Sequence, residues 1–159
     1  MNNVFKILSI IIIAYFTTAC IEKKDTEVEK PIVEIISPTP CDTLYFGESF
    51  KLSVKITDNT GLGNISMDLH NNFGHHNHGN HETCTYDPTK EVVNPFSADW
   101  MFSLPSEKKQ YVFDTLIAFP LKKNDTTNFD FGDYHFHMYV TDNDGYQAFT
   151  SLDVKILYR

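Results

Sequence analysis

The stretch Tyr134-His135-Phe136-His137-Met138-Tyr139-Val140-Thr141 is the clearest β-strand of the sequence, because its side chains alternate in character. Successive side chains of a strand point to opposite faces of the sheet, so the alternation predicts one buried face and one outward face. His135 and His137 share the outward face. Residues 142–145, Asp-Asn-Asp-Gly, follow as a turn. The predicted buried face consists of Tyr134, Phe136, Met138 and Val140.

Two earlier segments repeat this alternation. Phe50 to Thr57 forms one of them and ends in the turn residues Asp58-Asn59-Thr60-Gly61. Asn64 to His70 forms the other, with Asp68 and His70 on its outward face. About seven short strands separated by polar turns, without a helical period, predict an all-β, antiparallel β-sandwich. The remaining, weaker strand patterns cover residues 32–36, 98–104, 111–119 and 147–157.

Gly132-Asp133-Tyr134 stands ahead of a strand that ends in Thr-Asp-Asn-Asp-Gly, and this combination resembles the penultimate strand and tyrosine corner of immunoglobulin-like domains. The resemblance implies strands A to G near residues 32, 50, 64, 98, 111, 134 and 147, with C and F as antiparallel neighbours. The end of strand C, at His70, then lies beside the start of strand F, at His135. On this assignment the imidazoles of His70, His135 and His137 cluster on one sheet surface.

The first 20 residues have the character of an export signal. Lys6 precedes an apolar run from Ile7 to Phe16, which is too short to span a bilayer as a mature helix. Thr17-Thr18-Ala19-Cys20 resembles the lipobox of bacterial lipoproteins, although that family usually carries Leu at the first of these positions. The resemblance implies that a lipoprotein signal peptide, residues 1–19, is removed and that Cys20 becomes acylated, with palmitate among the expected chains. Several acyl chains give stable membrane anchoring.

The mature chain divides into a tether and one domain. Residues 20–30 carry mixed charge and no apolar pattern, which predicts a solvated linker. Residues 31–159 are long enough to bury a single core. The formal net charge of −8 and the scattered Lys and Arg residues argue against a nucleic-acid partner. We therefore expect a domain anchored in the cell envelope, at the outer membrane, on its periplasmic or its external side.

Cys41 and Cys84 are the cysteines that remain once Cys20 is lipidated. In an oxidising compartment a disulfide between them is the favoured interpretation. The alternative is that Cys84, which follows a histidine cluster, supplies a thiolate to a metal ion. The disulfide would tie the loop after strand C to the connection between strands A and B.

All seven histidines fall into two clusters, one in the loop 70–82 and one on the strand 134–141. Residues two apart on a strand lie on one face about 6.6 Å apart, which two imidazoles can bridge toward one ion with bonds of ~2.0–2.1 Å. A loop histidine is expected to complete the shell, and Asp68 or Asp133 to ligate or to orient a ring. The alternative interpretation of the loop is a flexible low-complexity insert. The predicted metal ligands are His70, His75, His76, His78, His81, His135, His137 and Asp68.

Imidazole ligands favour zinc, our first choice, or copper(II), our second, over calcium and magnesium, which prefer oxygen. Because ligating imidazoles must be neutral, affinity is expected to fall steeply below about pH 6. The acidic turns 58–61 and 142–145 offer oxygen ligands for calcium at the opposite end of the sandwich. Asx-turns explain the same residues without an ion, and we favour that interpretation.

The combined features, with a His-Asn-Asn-Phe run at residues 70–73, resemble an uncharacterised family of small Bacteroidota-type lipoproteins with an immunoglobulin-like domain and a His-rich motif. That resemblance implies placement in the cell envelope and brings no activity with it. His135-Phe136-His137 alone also resembles copper-zinc superoxide dismutase. The glycine-rich pattern and the arginine-bearing loop of that enzyme are not recognisable in this chain.

The leading hypothesis is a lipoprotein that captures, buffers or delivers zinc or copper, for instance to an outer-membrane transporter. It is a binding module, and no catalytic residue is assigned. One alternative is a metal-dependent enzyme, a zinc hydrolase or a dismutase, with Glu82, Asp68 or Asp133 as acid or base. Another is an adhesion or glycan-binding sandwich that uses aromatics such as Trp100 and Tyr139 and binds no metal.

Overall fold

The computed structural model describes residues 29–75 and 84–159, and over these residues the chain forms strands and connections without a helix. Each strand predicted from the sequence is present, and a short strand is added before the second of them. The strands are β1 (Ile32–Ser37), β2 (Thr43–Tyr45), β3 (Ser49–Thr57), β4 (Leu62–Asn71), β5 (Ala98–Ser103), β6 (Gln110–Ala118), β7 (Gly132–Asp142) and β8 (Gln147–Leu157).

The strands form two sheets that enclose one hydrophobic core. One sheet has the order β1-β3-β6 and the other the order β2-β8-β7-β4-β5. Neighbouring strands are antiparallel, except for β2 and β8, which are parallel. The predicted antiparallel β-sandwich is therefore confirmed, and β4 and β7 are neighbours, as the immunoglobulin-like assignment requires.

One strand of that assignment is in the wrong sheet. Strand D of an immunoglobulin-like constant domain lies with strands A, B and E, but the strand at Ala98–Ser103, β5, pairs with β4, where Met67 lies opposite Trp100. Trp100 packs against the core, with its ring centroid 6.3 Å from that of Phe136. Alternation marks the buried face of a strand but does not show which sheet the strand joins. Trp100 is accordingly a core contact and not an exposed aromatic.

The start of β7 is fixed by a buried tyrosine. The hydroxyl of Tyr134 donates to the backbone oxygen of Asp130 at 2.5 Å and accepts from the amide of Phe96 at 3.3 Å. This is the tyrosine-corner contact that the sequence suggests. Burial raises the pKa of Tyr134 above its ordinary value, so the hydroxyl remains a donor. The corner therefore determines where β7 begins and, with it, where the histidines after Tyr134 lie.

A disulfide joins Cys41 and Cys84, whose Cα atoms are 5.4 Å apart. This is the pair that the sequence predicts. Because its sulfur is bonded to Cys41, Cys84 does not supply a thiolate ligand in this structure, and that alternative is set aside. The bridge ties the connection between β1 and β2 to the chain that follows the histidine loop.

The two acidic turns are organised by their own backbone. Oδ1 of Asp58 accepts from the amides of Thr60 and Gly61, each at 2.8 Å, and Oδ1 of Asp142 accepts from two amides of its own turn, each at 2.8 Å. Burial alone would raise the pKa of Asp58, but hydrogen bonds from the Gly61 and Thr60 amides outweigh it and hold the pKa below its ordinary value. The Asx-turn interpretation therefore accounts for both turns.

The export signal, the acylation site Cys20 and most of the tether lie outside the described residues, so these assignments stay predictions. Within ranges 29–75 and 84–159, no helix has the length and apolar character needed to cross a bilayer. The described residues form the strands of the sandwich and the loops that connect them.

Candidate metal centre

Three strands of the five-stranded sheet deliver polar side chains to the same outward face. In the register between β4 and β7, Asp68 lies opposite His137 and His70 lies opposite His135. In the register between β7 and β8, His135 lies opposite Asp153. The alternate residues of these strands are apolar and buried, so a slip by one residue would expose them to water. The hydrophobic core therefore places these polar side chains next to one another.

The imidazoles of His70, His135 and His137 form a compact cluster. Their ring centroids are 4.7 Å apart for His70 and His137, 5.5 Å for His70 and His135, and 5.6 Å for His135 and His137. Three imidazoles that bind one zinc ion tetrahedrally through bonds of ~2.0–2.1 Å have centroids roughly 5 Å apart. The proximity of the three rings expected from the sequence is present, and two of the three, His70 and His137, bring a ligand atom within 4.8 Å of each other and of a carboxylate oxygen of Asp68.

Asp68 lies against two of these rings. Its Oδ1 atom is 2.5 Å from Nδ1 of His70 and 3.6 Å from Nδ1 of His137. One possible ligand atom from each of Asp68, His70 and His137 lies within 4.8 Å of the other two. Asp68 can therefore act as an oxygen ligand, or it can orient the His70 ring so that the other nitrogen of that ring faces an ion.

His135 has a carboxylate of its own. Its Nδ1 atom is 2.5 Å from Oδ1 of Asp153, and Oδ2 of Asp153 accepts a hydrogen bond from the Tyr86 hydroxyl at 2.5 Å. The sequence analysis missed both partners. Asp153 could have been found, since it stands between the inward residues Leu152 and Val154 on the strand beside β7. No sequence pattern marks Tyr86.

The outward face is covered where the imidazoles lie. His135 is 1% exposed and His137 is 7% exposed, although alternation places both on the side away from the core. Residues 84–87, here called the covering segment, contribute to the cover through Tyr86. On the other side, the ring of Phe149 stands edge-on to His137 with centroids 5.3 Å apart. His135 and His137 are therefore buried on the sheet face, whereas the side chains of His70 and Asp68 are partly exposed.

The covering segment is held at several points. Its first residue forms the disulfide with Cys41. Farther along, the amide of Asp87 donates to Oδ2 of Asp133 at 2.8 Å, and the Asp87 carboxylate lies 2.6 Å from the Lys155 ammonium. Asp133 is thus on the outward face, as predicted, where it anchors this segment.

His75 lies outside the group formed by Asp68, His70 and His137, so its predicted role as a ligand stays a prediction. Its ring stacks on Tyr86 with centroids 4.9 Å apart, and its Nε2 atom is 3.9 Å from Oδ2 of Asp133. Stacking on the covering segment holds the ring there. The other loop residues with a predicted role, His76, His78, His81 and Glu82, lie outside the described residues.

Carboxylates dominate the electrostatics around the imidazoles. A hydrogen bond to Asp87 is the main reason why the pKa of Lys155 is raised, against the effect of burial, and Asp133 adds to the shift. Burial, followed by the hydrogen bond to Asp153, raises the pKa of Tyr86 to about 12. Tyr86 therefore stays protonated at neutral pH and donates to that carboxylate. The surplus of negative charge favours a cation on this face.

Residues 18–157 match the family described as Domain of unknown function (DUF4625), and the chain belongs to that family. No curated protein matches the chain. Among solved structures, it is similar to Spo0M, a sporulation control protein from Bacillus subtilis, with 9% identity and a TM-score of 0.40. The similarity covers 82% of this chain and 49% of that one, so the chain spans about half the length of Spo0M.

Proposed function

We propose that this member of the DUF4625 family binds a divalent transition metal, zinc first and copper second, through the imidazoles of His70, His135 and His137. The observation that carries the proposal is the set of ring distances, 4.7 to 5.6 Å, among three histidines from two adjacent strands. Two of these rings, His70 and His135, are hydrogen-bonded to carboxylates, which is the usual surrounding of a histidine that ligates a metal. The bound ion would supply positive charge and an exchangeable coordination position.

Zinc is the first choice because the rings are held on a rigid sheet, and zinc has no electronic preference for one arrangement of its nitrogen ligands. Copper(II) prefers tetragonal geometry, whereas zinc accepts a tetrahedral set of nitrogen ligands. Copper remains the second choice because nitrogen sites bind it more tightly when geometry does not discriminate.

The proposed role is capture, buffering or delivery of the ion in the cell envelope. A three-ligand site keeps one position for an incoming ligand. The Asp68 and His70 side chains are 37% and 28% exposed, so they form the open side of an otherwise buried centre. Anchoring through acylated Cys20 would keep the protein at the outer membrane, close to a transporter that could receive the ion. Incorporation of labelled palmitate, lost in Cys20→Ser, tests the anchor.

Metal binding is tested by elemental analysis of the purified protein, followed by titration with zinc and with copper(II). The variant His135→Ala with His137→Ala is expected to lose zinc binding, because two of three ligands are removed. Tyr139→Phe is the control, since it changes a side chain of the same strand and face that lies outside the ligand group. Equal zinc affinity in the double variant and the wild type would refute the proposal.

A metal-dependent hydrolase is a second candidate, and the Asp153–His135 pair favours it. In this case Asp68, His70 and His137 would ligate the ion as a two-histidine, one-carboxylate set. His135, held by Asp153, would take a proton from a metal-bound water. X-ray absorption of the zinc form separates the candidates, because the binding module has three imidazoles on the ion and the hydrolase has two. Hydrolysis of p-nitrophenyl esters by the zinc form would favour the hydrolase.

A further inference from the structure

We propose that the edge strand β5, Ala98–Ser103, pairs with an extended basic segment of another protein, and that a lysine or arginine of this segment lies beside Asp99. This inference goes beyond the proposed function and does not depend on it, because it requires no metal ion. It commits to one class of partner, a peptide strand that carries positive charge.

Strand β5 ends the five-stranded sheet. Among residues 29–75 and 84–159, its one hydrogen-bonded neighbour is β4, and the register of the two strands has no bulge. Part of the amide and carbonyl groups of an edge strand point away from the sheet, and a strand of another chain can pair with them. Lysine, proline and bulges commonly protect such an edge. The sequence of β5, Ala-Asp-Trp-Met-Phe-Ser, contains neither lysine nor proline.

The other edge strands of the described chain are less suited to this role. Strand β2 has three residues, and the pairing of β1 is interrupted between Ile35 and Ser37. Strand β6 is regular, but its outward carboxylate, Asp114, already forms an ion pair with Lys51 at 3.3 Å. Asp99 of β5 is exposed and forms no ion pair with another described residue. Its charge is therefore available to a partner.

The outward face beside β5 is acidic. Asp68 and Asp99 lie directly opposite each other in the register of β4 and β5, and like charges in this position destabilise a sheet. Both line a groove of about 340 Å³, to which Met101 and Tyr139 also contribute. A cationic group in the groove would offset the repulsion. Because Asp68 also contacts His70, Asp99 is the carboxylate on which the proposal rests.

Apolar surface is left uncovered on both faces of the edge. On the inner face, Trp100 and Phe102 pack against the core but are only partly buried. On the outer face, Met101 is 73% exposed. An added strand would place alternate side chains over these two faces, and it would remove apolar surface of β5 from water.

Charge decides which kind of strand fits. A second copy of β5 would bring another Asp99 to this edge, in a chain whose net charge is −8, whereas a basic segment supplies the opposite sign. In an antiparallel partner strand, the residue opposite Met101 comes two positions before the residue opposite Asp99. The matching segment therefore has a large apolar residue, one spacer residue and then lysine or arginine.

The test is a nuclear magnetic resonance titration of the isotope-labelled full-length chain, purified in detergent. The probe is the peptide acetyl-Thr-Val-Leu-Thr-Lys-Thr-amide, and a second peptide carries Glu in place of Lys. We expect the lysine peptide to shift the amide signals of β5 in a saturable manner. Asp99→Lys should weaken its binding about tenfold, because a favourable exposed charge pair becomes an unfavourable one. The same variant should bind the glutamate peptide about tenfold more tightly than the wild type does.

Asp125→Lys is the matched control. It makes the same charge change at an exposed residue of the connection between β6 and β7. The ratio of the two peptide affinities should remain that of the wild type, because distant exposed charges are screened by salt. A lysine peptide that is methylated on its backbone nitrogens should not bind, since it cannot donate hydrogen bonds to β5.

Three results would overturn the proposal. The first is the absence of saturable shifts up to about 1 mM lysine peptide. The second is an unchanged ratio of peptide affinities in Asp99→Lys, which is at an exposed position and should fold. The third is a wild type that sediments as a dimer without peptide and whose β5 amides are already protected, since the occupant would then be a second copy. Zinc titration of the same samples reports on the proposed function separately.

Discussion

The start and the end of β7 both bury polar side chains, but they satisfy them differently. At the end of β7, Oδ1 of Asp142 accepts hydrogen bonds from amides of its own turn. Oδ1 of Asp58, which directly follows β3, accepts from the Gly61 amide of its turn in the same way. At the start, His135 is held by Asp153 from another strand, and Asp153 by Tyr86 from the covering segment. A carboxylate occupied by adjacent amides stabilises a turn. Side chains that hold one another from distant parts of the chain form the cluster for which we propose metal binding.

The largest effect is expected at the histidine end, from removal of the disulfide. Its cysteines are 43 residues apart, and closing a loop of that length is worth about 4 kcal/mol. We expect Cys41→Ser with Cys84→Ser to lower the free energy of unfolding by about this amount. Urea denaturation measures the change. A loss below about 1 kcal/mol would mean that the loop entropy model does not apply here.

The next effect is stabilisation by zinc. An ion present at 100 times its dissociation constant raises the free energy of unfolding by about 2.7 kcal/mol. We expect this increase in the wild type and in Asp58→Ala, whose substitution lies in the turn at the other end, but not in His135→Ala with His137→Ala. Thermal or urea unfolding with and without zinc provides the measurement. An increase in the double variant would place the ion elsewhere.

The turn at residues 58–61 should affect the stability of the fold and not its affinity for zinc. Asp58→Ala leaves the amides of Thr60 and Gly61 without their acceptor, and loss of a buried hydrogen-bonding partner costs about 1–3 kcal/mol. We expect a destabilisation in this range together with an unchanged dissociation constant for zinc. A change in zinc affinity would show that the two ends are coupled and would weaken the contrast between them.

The smallest effect is the pH dependence of the same turn. The pKa of Asp58 is held below its ordinary value of 3.8, so its charge stabilises the folded state above about that pH. This contribution is lost as the pH falls through the lowered pKa. Asp58→Asn keeps an acceptor oxygen and removes the titration. The difference in unfolding free energy between the wild type and this variant should therefore shrink between pH 6 and pH 2, and a difference that grows would contradict the assigned shift.

Much of the candidate site was predictable because it depends on strand periodicity. His70, His135 and His137 were placed on one face from the alternation of apolar residues, and the register of β4 with β7 agrees. The cysteine pair followed from their number. The position of β5 did not follow, since alternation within Ala98–Ser103 is equally compatible with either sheet.

The sequence by itself determined the outward parity of the histidines and the local turns, because both depend on residues that are close along the chain. Only the tertiary structure decided that His135 and His137 are buried, that Asp153 and Tyr86 hold His135, and that His75 stacks on Tyr86 beside Asp133. Those contacts join residues up to 67 positions apart. No local periodicity encodes such contacts, because they arise when the disulfide and the core bring separate segments onto one sheet face.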